Sequence, residues 1–144
     1  MAEATRRNFL WLGLGGLVAV AAGGALWMRA SAGDAAFETR FMTVDQMKAE
    51  GALVVDVRRP DEWQATGVIE GARLVTFADA QDFLSRIGAD LAPGQELILV
   101  CQSGRRSAAA AAALAGLIPN RIISADGGMQ AIIASGYRTV APQL

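Results

Sequence analysis

The stretch ELILVCQSGRRSAAAAAALAG, residues 96–116, joins an apolar run to an alanine-rich run through a short polar loop. The run Glu96–Cys101 predicts a buried strand, because strands that are covered on both faces are continuously apolar. The run Ser107–Leu117 has high helix propensity and ends near Gly116. The loop QSGRR therefore lies at the carboxyl end of a central strand, where binding sites form in parallel sheets.

The sequence on both sides of this stretch alternates between strand and helix patterns. Predicted helices cover residues 43–51, a turn that begins near Pro60, residues 79–88 and residues 129–136. Predicted strands cover residues 53–57 and 72–77, and a strand and turn follow over residues 121–128. Thr43 and Gln46 are expected to form a capping box on the first helix. Alternation of this kind predicts one α/β domain, an open parallel sheet flanked by helices.

The composition excludes several classes of function. The chain has 144 residues, a formal net charge of −1, no histidine and one cysteine. Without histidine there is no Cys-His or Ser-His catalysis and no histidine-based metal site, so we predict no metal and no cofactor. A single cysteine excludes an intramolecular disulfide and a CxxC pair. The charge gives no basic footprint for nucleic acid, which is not an expected partner.

The N-terminal residues are predicted to be a targeting segment rather than part of the folded domain. Thr5–Leu10, TRRNFL, resembles a twin-arginine export signal, and Ala30-Ser31-Ala32 matches a cleavage site. Residues 9–28 carry no charge and are long enough to anchor the chain in a membrane instead. We therefore expect an export signal or anchor over residues 1–32, a linker over 33–40 and a folded domain over 41–144. Both alternatives predict a periplasmic domain, soluble or held at the inner membrane.

Cys101 is the candidate nucleophile. A tight loop before a helix turns several backbone N–H groups inward, and these groups favour an anion such as a thiolate. Gly104 allows the chain to curve, and Arg105 and Arg106 add positive charge. These features are expected to lower the pKa of Cys101 without an imidazole. The alternative is a small buried residue, because free cysteine is among the most buried residue types.

Three motifs give the chain a resemblance to a known family. DVRRPDEW with TGVIEGA, then CQSGRRS, then ADGGMQAIIASGYRTV occur in this order. They resemble the motifs of single-domain rhodaneses, which are sulfurtransferases, and the resemblance extends from about residue 41 to residue 140. The chain departs from the family at Val68, where histidine is common, and at Ile132 or Ile133, where tryptophan is usual.

The resemblance implies the chemistry and the site. Cys101 would take a sulfane sulfur from a small sulfur-containing anion such as thiosulfate, as a persulfide, and pass it to a thiol or cyanide. The residues implied to bind substrate are Gln102, Ser103, Gly104, Arg105 and Arg106. Those implied to support the site are Asp56, Arg58, Glu62 and Ser107, with Arg58 and Glu62 expected to form an internal ion pair.

Two other functions share these features. Phosphatases and arsenate reductases with a similar architecture place five residues between cysteine and arginine, whereas four lie between Cys101 and Arg106 here. The shorter loop favours a pocket for sulfur. A rhodanese-like interaction or redox-sensing module is the second alternative, since an exported lone thiol can form mixed disulfides.

Overall fold

A computed structural model describes residues 37–143 of the chain. The export signal or anchor predicted over residues 1–32 lies outside the described residues. The described strands are β1 (Glu38–Arg40), β2 (Leu53–Asp56), β3 (Arg73–Leu74), β4 (Leu97–Val100) and β5 (Ile122–Ala125). The described helices are α1 (Val44–Ala49), α2 (Pro60–Thr66), α3 (Ala80–Ile87), α4 (Arg105–Leu114) and α5 (Gly128–Ala134).

The strands form one parallel sheet in the order β1-β5-β4-β2-β3. This arrangement confirms the predicted α/β fold with a parallel sheet and flanking helices. β4 lies in the middle of the sheet, as its uninterrupted apolar sequence predicts, and all four of its residues are buried. Because all strands are parallel, their carboxyl ends meet at one edge, where the loop after β4 also lies.

Side chains of β4 alternate between two apolar layers. Leu97 and Leu99 pack with residues of α3 and α4, including Phe83 and Leu114. Ile98 and Val100 pack on the opposite face, in a cluster formed with residues of α1 and α5. The period of two that is intrinsic to a strand therefore decides which helix each side chain meets.

Two boundaries of the prediction are wrong at the edges of the sheet. Residues 38–40, assigned to the linker, form β1 and pair with β5. Three residues are too short to show a hydrophobic period, so the sequence gives no signal for this strand. The strand expected over residues 72–77 is only Arg73–Leu74, because its partner β2 ends at Asp56, which lies opposite Leu74.

The helix starts follow local chemistry. Thr43 and Gln46 form the predicted capping box at the start of α1. α4 begins at Arg105, two residues before the predicted start, because Gly104 takes a left-handed conformation (φ +91°) and turns the chain into the helix. The turn predicted at Gly127-Gly128 is present, and α5 begins there. In residues 37–143 no helix is both long and apolar enough to cross a membrane.

Candidate active site

Cys101 stands directly after β4, at the carboxyl edge of the sheet. Its side chain continues the phase of Leu97 and Leu99, and it belongs to the apolar layer on the α4 side. The side chain is buried and faces the first turn of α4. The alternation along β4 therefore aims the sulfur at the backbone N–H groups of the loop and of the helix start.

Hydrogen bonds converge on this sulfur. Gly104 N–H donates to Cys101 Sγ at 3.1 Å, and the Ser107 hydroxyl lies 3.5 Å from the same atom. Burial raises the pKa of the Cys101 thiol. Hydrogen bonds from the Ser107 hydroxyl and from the N–H groups of Ser107, Ser103 and Gly104 lower this pKa, and together they outweigh the effect of burial. The net effect is a pKa below the ordinary value of a thiol, so this loop favours a thiolate.

The arginines contribute less to this effect than the sequence indicates. The charge of Arg106 does interact with Cys101. The hydroxyl and the backbone N–H groups nevertheless have larger effects on the pKa of Cys101. The electrostatics of the loop are therefore mainly those of aligned hydrogen-bond donors.

The start of α5 is hydrogen-bonded to the backbone of the loop. Met129 N–H donates to the carbonyl oxygen of Cys101 at 2.8 Å, and Gln130 N–H donates to that of Gln102 at 3.1 Å. In a trans peptide the N–H group points away from the C=O group. Fixing these two carbonyls toward α5 therefore turns the N–H groups of Gln102 and Ser103 away from α5.

A buried ion pair lies beneath the other side of the loop. The guanidinium of Arg58 binds the carboxylate of Asp56 through Nε and Nη2, with distances of 2.7–3.0 Å, and both residues are fully buried. Arg58 also donates to Thr66 Oγ1 at 2.6 Å and to Gln102 Oε1 at 3.2 Å. Arg58 thereby joins the end of β2 and α2 to the loop that follows Cys101.

The expected ion pair between Arg58 and Glu62 is wrong. Glu62 instead binds Arg106, with Oε1 and Oε2 at 2.6 and 2.8 Å from the two terminal nitrogens. Arg106 lowers the pKa of Glu62 to about 2. The reason is position on α2: Glu62 lies in its first turn, facing α4, whereas Arg58 points inward and meets only the backbone carbonyl of Glu62.

The structure gathers the predicted site residues at one edge of the sheet. Cys101, Gln102, Ser103 and Gly104 form the loop, and Arg105, Arg106 and Ser107 begin α4. Arg58, paired with Asp56, contacts Gln102, and Glu62 contacts Arg106. The substrate-binding and supporting roles stay predictions. Arg105 is exposed, and Arg106 is occupied by Glu62.

Sequence reasoning missed two elements of the site. Ser124 on β5 donates a hydrogen bond to the Ser107 hydroxyl. The start of α5 donates two backbone hydrogen bonds to carbonyl oxygens of Cys101 and Gln102. One signal for Ser124 is present in the sequence, a polar residue within an apolar strand. The glycine pair at residues 127–128 indicates a turn, but not what the turn touches. Within residues 37–143 no group of acidic and cysteine side chains is arranged to hold a metal ion.

Most of the folded domain matches the sequence profile of a known family. The family profile of the rhodanese-like domain matches residues 43–135. The chain belongs to the rhodanese-like family. The match includes the loop after Cys101 and the turn before α5, the two elements that face each other in the site.

Several curated relatives carry the name thiosulfate sulfurtransferase GlpE, among them one from Pseudomonas putida and one from Ectopseudomonas mendocina. The one from Pseudomonas putida (strain F1) is 40% identical over 83 residues, which are 58% of this chain and 71% of the relative. The one from Ectopseudomonas mendocina (strain ymp) is 38% identical over 85 residues, or 59% of this chain and 73% of the relative. This rhodanese-like chain is accordingly an enzyme of the sulfurtransferase type.

A solved structure shows the same fold. The rhodanese-related protein from Thermoplasma volcanium has a TM-score of 0.53 and 24% identity, and covers 72% of this chain and 99% of its own. At this identity the likeness concerns the fold alone.

Proposed function

We propose that this rhodanese-like enzyme moves a sulfane sulfur from a small anionic donor, such as thiosulfate, to a thiol or to cyanide, through a persulfide on Cys101. The proposal extends what the curated relatives are named for to this chain. The observation that carries it is the set of donors around Cys101 Sγ, namely the Gly104 N–H and the Ser107 hydroxyl.

The reaction proceeds by two displacements. The Cys101 thiolate attacks the outer sulfur of thiosulfate, the S–S bond of the donor breaks, and sulfite leaves with the bonding electrons. The persulfide anion on Cys101 then meets the acceptor, whose nucleophilic atom takes the outer sulfur and returns the thiolate. No proton has to move in either step with cyanide, which suits a site in a chain that has no histidine.

The loop supplies the stabilisation that both steps need. Backbone N–H groups that are already fixed in place stabilise a sulfur anion without reorganising during the reaction. The same donors serve the thiolate and the inner sulfur of the persulfide. With only one cysteine in the chain, no internal thiol can displace the bound sulfur, so it waits for an external acceptor.

The test is the mass of the intact chain after incubation with thiosulfate. We expect a gain of one sulfur atom, which cyanide then removes as thiocyanate. The matched control is Cys101→Ser, which should gain nothing. A wild-type chain that gains no sulfur from thiosulfate or from a mercapto acid, and whose thiol alkylates no faster than free cysteine, would instead support a non-catalytic interaction module.

The phosphatase alternative has little support in the site. A phosphatase loop relies on its arginine to bind the phosphoryl oxygens. Both terminal nitrogens of Arg106 are engaged by the carboxylate of Glu62. An oxyanion would have to displace Glu62 before it could bind Arg106.

We propose further that the domain acts in the periplasm, free or held at the inner membrane through residues 9–28. The support is the twin-arginine resemblance of Thr5–Leu10 and the small residues Ala30-Ser31-Ala32. Replacing both arginines, Arg6→Lys with Arg7→Lys, should leave the chain in the cytoplasm of a bacterial host. Cell fractionation measures this, and an unchanged distribution would contradict twin-arginine export. Sequencing the N-terminus of the exported chain decides between cleavage after Ala32 and an uncleaved anchor.

A further inference from the structure

Ser124 is a polar residue in an apolar strand. Its neighbours on β5, Ile122, Ile123 and Ala125, belong to the two apolar layers, yet Ser124 is also fully buried. By the alternation of the strand, Ser124 shares the face of Ile122, on which α4 packs. Among the described residues its side chain makes one hydrogen bond, to Ser107 Oγ at 2.9 Å.

Ser107 stands between Ser124 and the reactive sulfur. Besides Ser124, its oxygen lies 3.0 Å from the carbonyl oxygen of Gly104 and 3.5 Å from Cys101 Sγ. A serine hydroxyl has one proton, and a carbonyl oxygen only accepts. Since Ser107 gives its proton to Gly104 or to Cys101, the Ser124 hydroxyl is the group that donates to Ser107.

We propose that Ser124 is a positioning residue of the active site, whose hydroxyl acts through Ser107 to hold a hydrogen-bond donor toward the sulfur of Cys101. The proposal rests on the proposed function, in which that sulfur is the nucleophile. It adds a residue of the sheet to a site that otherwise consists of the loop and helix starts.

The physical effect is cooperative. A donor that itself accepts a hydrogen bond becomes a stronger donor, and a bond to an ionised sulfur is stronger than one to a neutral carbonyl. When Cys101 loses its proton, the Ser107 proton is therefore drawn from Gly104 to the sulfur, while Ser124 continues to donate from behind. Without Ser124, the Ser107 oxygen loses its buried donor, and its hydroxyl can rotate away from the sulfur.

The charged groups around Cys101 do not duplicate this role. Arg106 approaches from α4, but Glu62 pairs with it. Asp56 and Arg58 lie on the β2 side and pair with each other. Asp126, after β5, is exposed. Since these groups are the same in wild type and in a Ser124 variant, a change in the titration of Cys101 reports the hydroxyl.

The experiment is the pH dependence of alkylation of the full chain by iodoacetamide, followed by mass. Cys101 is the single cysteine, so the readout has no background from other thiols. Ser124→Ala should raise the apparent pKa of Cys101 by about half a unit, so that alkylation below that pKa slows by about threefold. At high pH, where the thiol is fully ionised, the two rates should converge.

Ser107 variants show whether Ser124 acts through Ser107. Ser107→Ala alone should raise the apparent pKa by about one unit, and adding Ser124→Ala should then change nothing further. Ser124→Thr, which keeps the hydroxyl, should restore most of the wild-type profile. In the sulfur-transfer assay at neutral pH, Ser124→Ala should lower kcat and leave the KM for thiosulfate unchanged.

Two results would overturn the proposal. One is an unchanged alkylation profile in folded Ser124→Ala. The other is an equal shift with and without the Ser107 hydroxyl, which would mean that Ser124 acts by another route. Alkylation uses no sulfur donor, so the test of Ser124 stands even if Cys101 accepts no sulfur. If the chain transfers no sulfur but the effect of Ser124→Ala still depends on the Ser107 hydroxyl, the proposed function is contradicted and the proposal for Ser124 stands.

Discussion

Gly128→Ala should lower kcat/KM for sulfur transfer by about a hundredfold in the protein that has folded. A Cβ atom on Gly128 would lie 2.4 Å from the carbonyl oxygen of Cys101 and 2.8 Å from the carbonyl carbon of Gln102. Both atoms belong to the backbone of the active-site loop, so no side chain can rotate to relieve the contact. The loop itself has to move.

The displacement acts on the groups that activate the sulfur. The carbonyls of Cys101 and Gln102 accept hydrogen bonds from Met129 and Gln130, and these bonds fix the opposite N–H groups of the loop. Moving the loop outward by about 1 Å takes reacting groups out of alignment, for which a loss of about a hundredfold is expected. The measurement is thiocyanate formation from thiosulfate and cyanide, with the alkylation rate of Cys101 beside it.

Gly51→Ala is the matched control. Gly51 has a similar left-handed backbone, φ +63° against +55° for Gly128, but no atom lies within 4 Å of the position of its Cβ. Gly51 lies between α1 and β2, at the amino edge of the sheet, whereas the active-site loop lies at the carboxyl edge. This control should cost about 1 kcal/mol of unfolding free energy from backbone strain, with activity unchanged. Equal activity in the two folded variants would show that the contact between α5 and the loop does not position the site.

The parts of the fold that sequence predicts well are those with a long hydrophobic period. β4 and the capped α1 lie where the pattern places them, because burial on two faces and a capping box leave local signatures. β1 has three residues, and each of them pairs with a residue of β5 that lies 85 positions further along the chain. No local pattern records such a pairing.

In the candidate site, too, the features that depend on neighbouring residues are predicted, and the contacts between separate elements are not. The segment Cys101–Arg106, the loop and the first residues of α4, is predicted from the sequence because its residues are consecutive. The partners of those residues come from other elements, so the pair of Glu62 with Arg106 takes the place of the expected pair with Arg58. The choice depends on which side of α2 faces α4, and a helix of seven residues gives too short a pattern to fix it.

Asp56→Asn should reduce the free energy of unfolding by about 3–5 kcal/mol, because it leaves a buried guanidinium without its counter-charge. Arg58 and Asp56 are both fully buried, and the two carboxylate oxygens accept from Nε and Nη2 of Arg58. An asparagine has nearly the same shape, but its amide group places N–H donors against the N–H donors of Arg58. Urea unfolding followed by far-UV circular dichroism measures the change.

Glu62→Gln is the control, because Glu62 and Arg106 form a pair of similar geometry that is partly exposed to solvent. Glu62 and Arg106 are 16% and 42% exposed, so solvent partly screens their attraction, and the loss should be about 1–2 kcal/mol, smaller than that of the buried pair. Glutamine keeps an oxygen that can accept from the Arg59 N–H at the start of α2, as Glu62 does. Equal losses in the two variants would mean that Arg58 keeps its hydration in the fold. A much larger loss in Asp56→Asn identifies the buried pair as the structural link between β2, α2 and the loop, since Arg58 also holds Thr66 and Gln102.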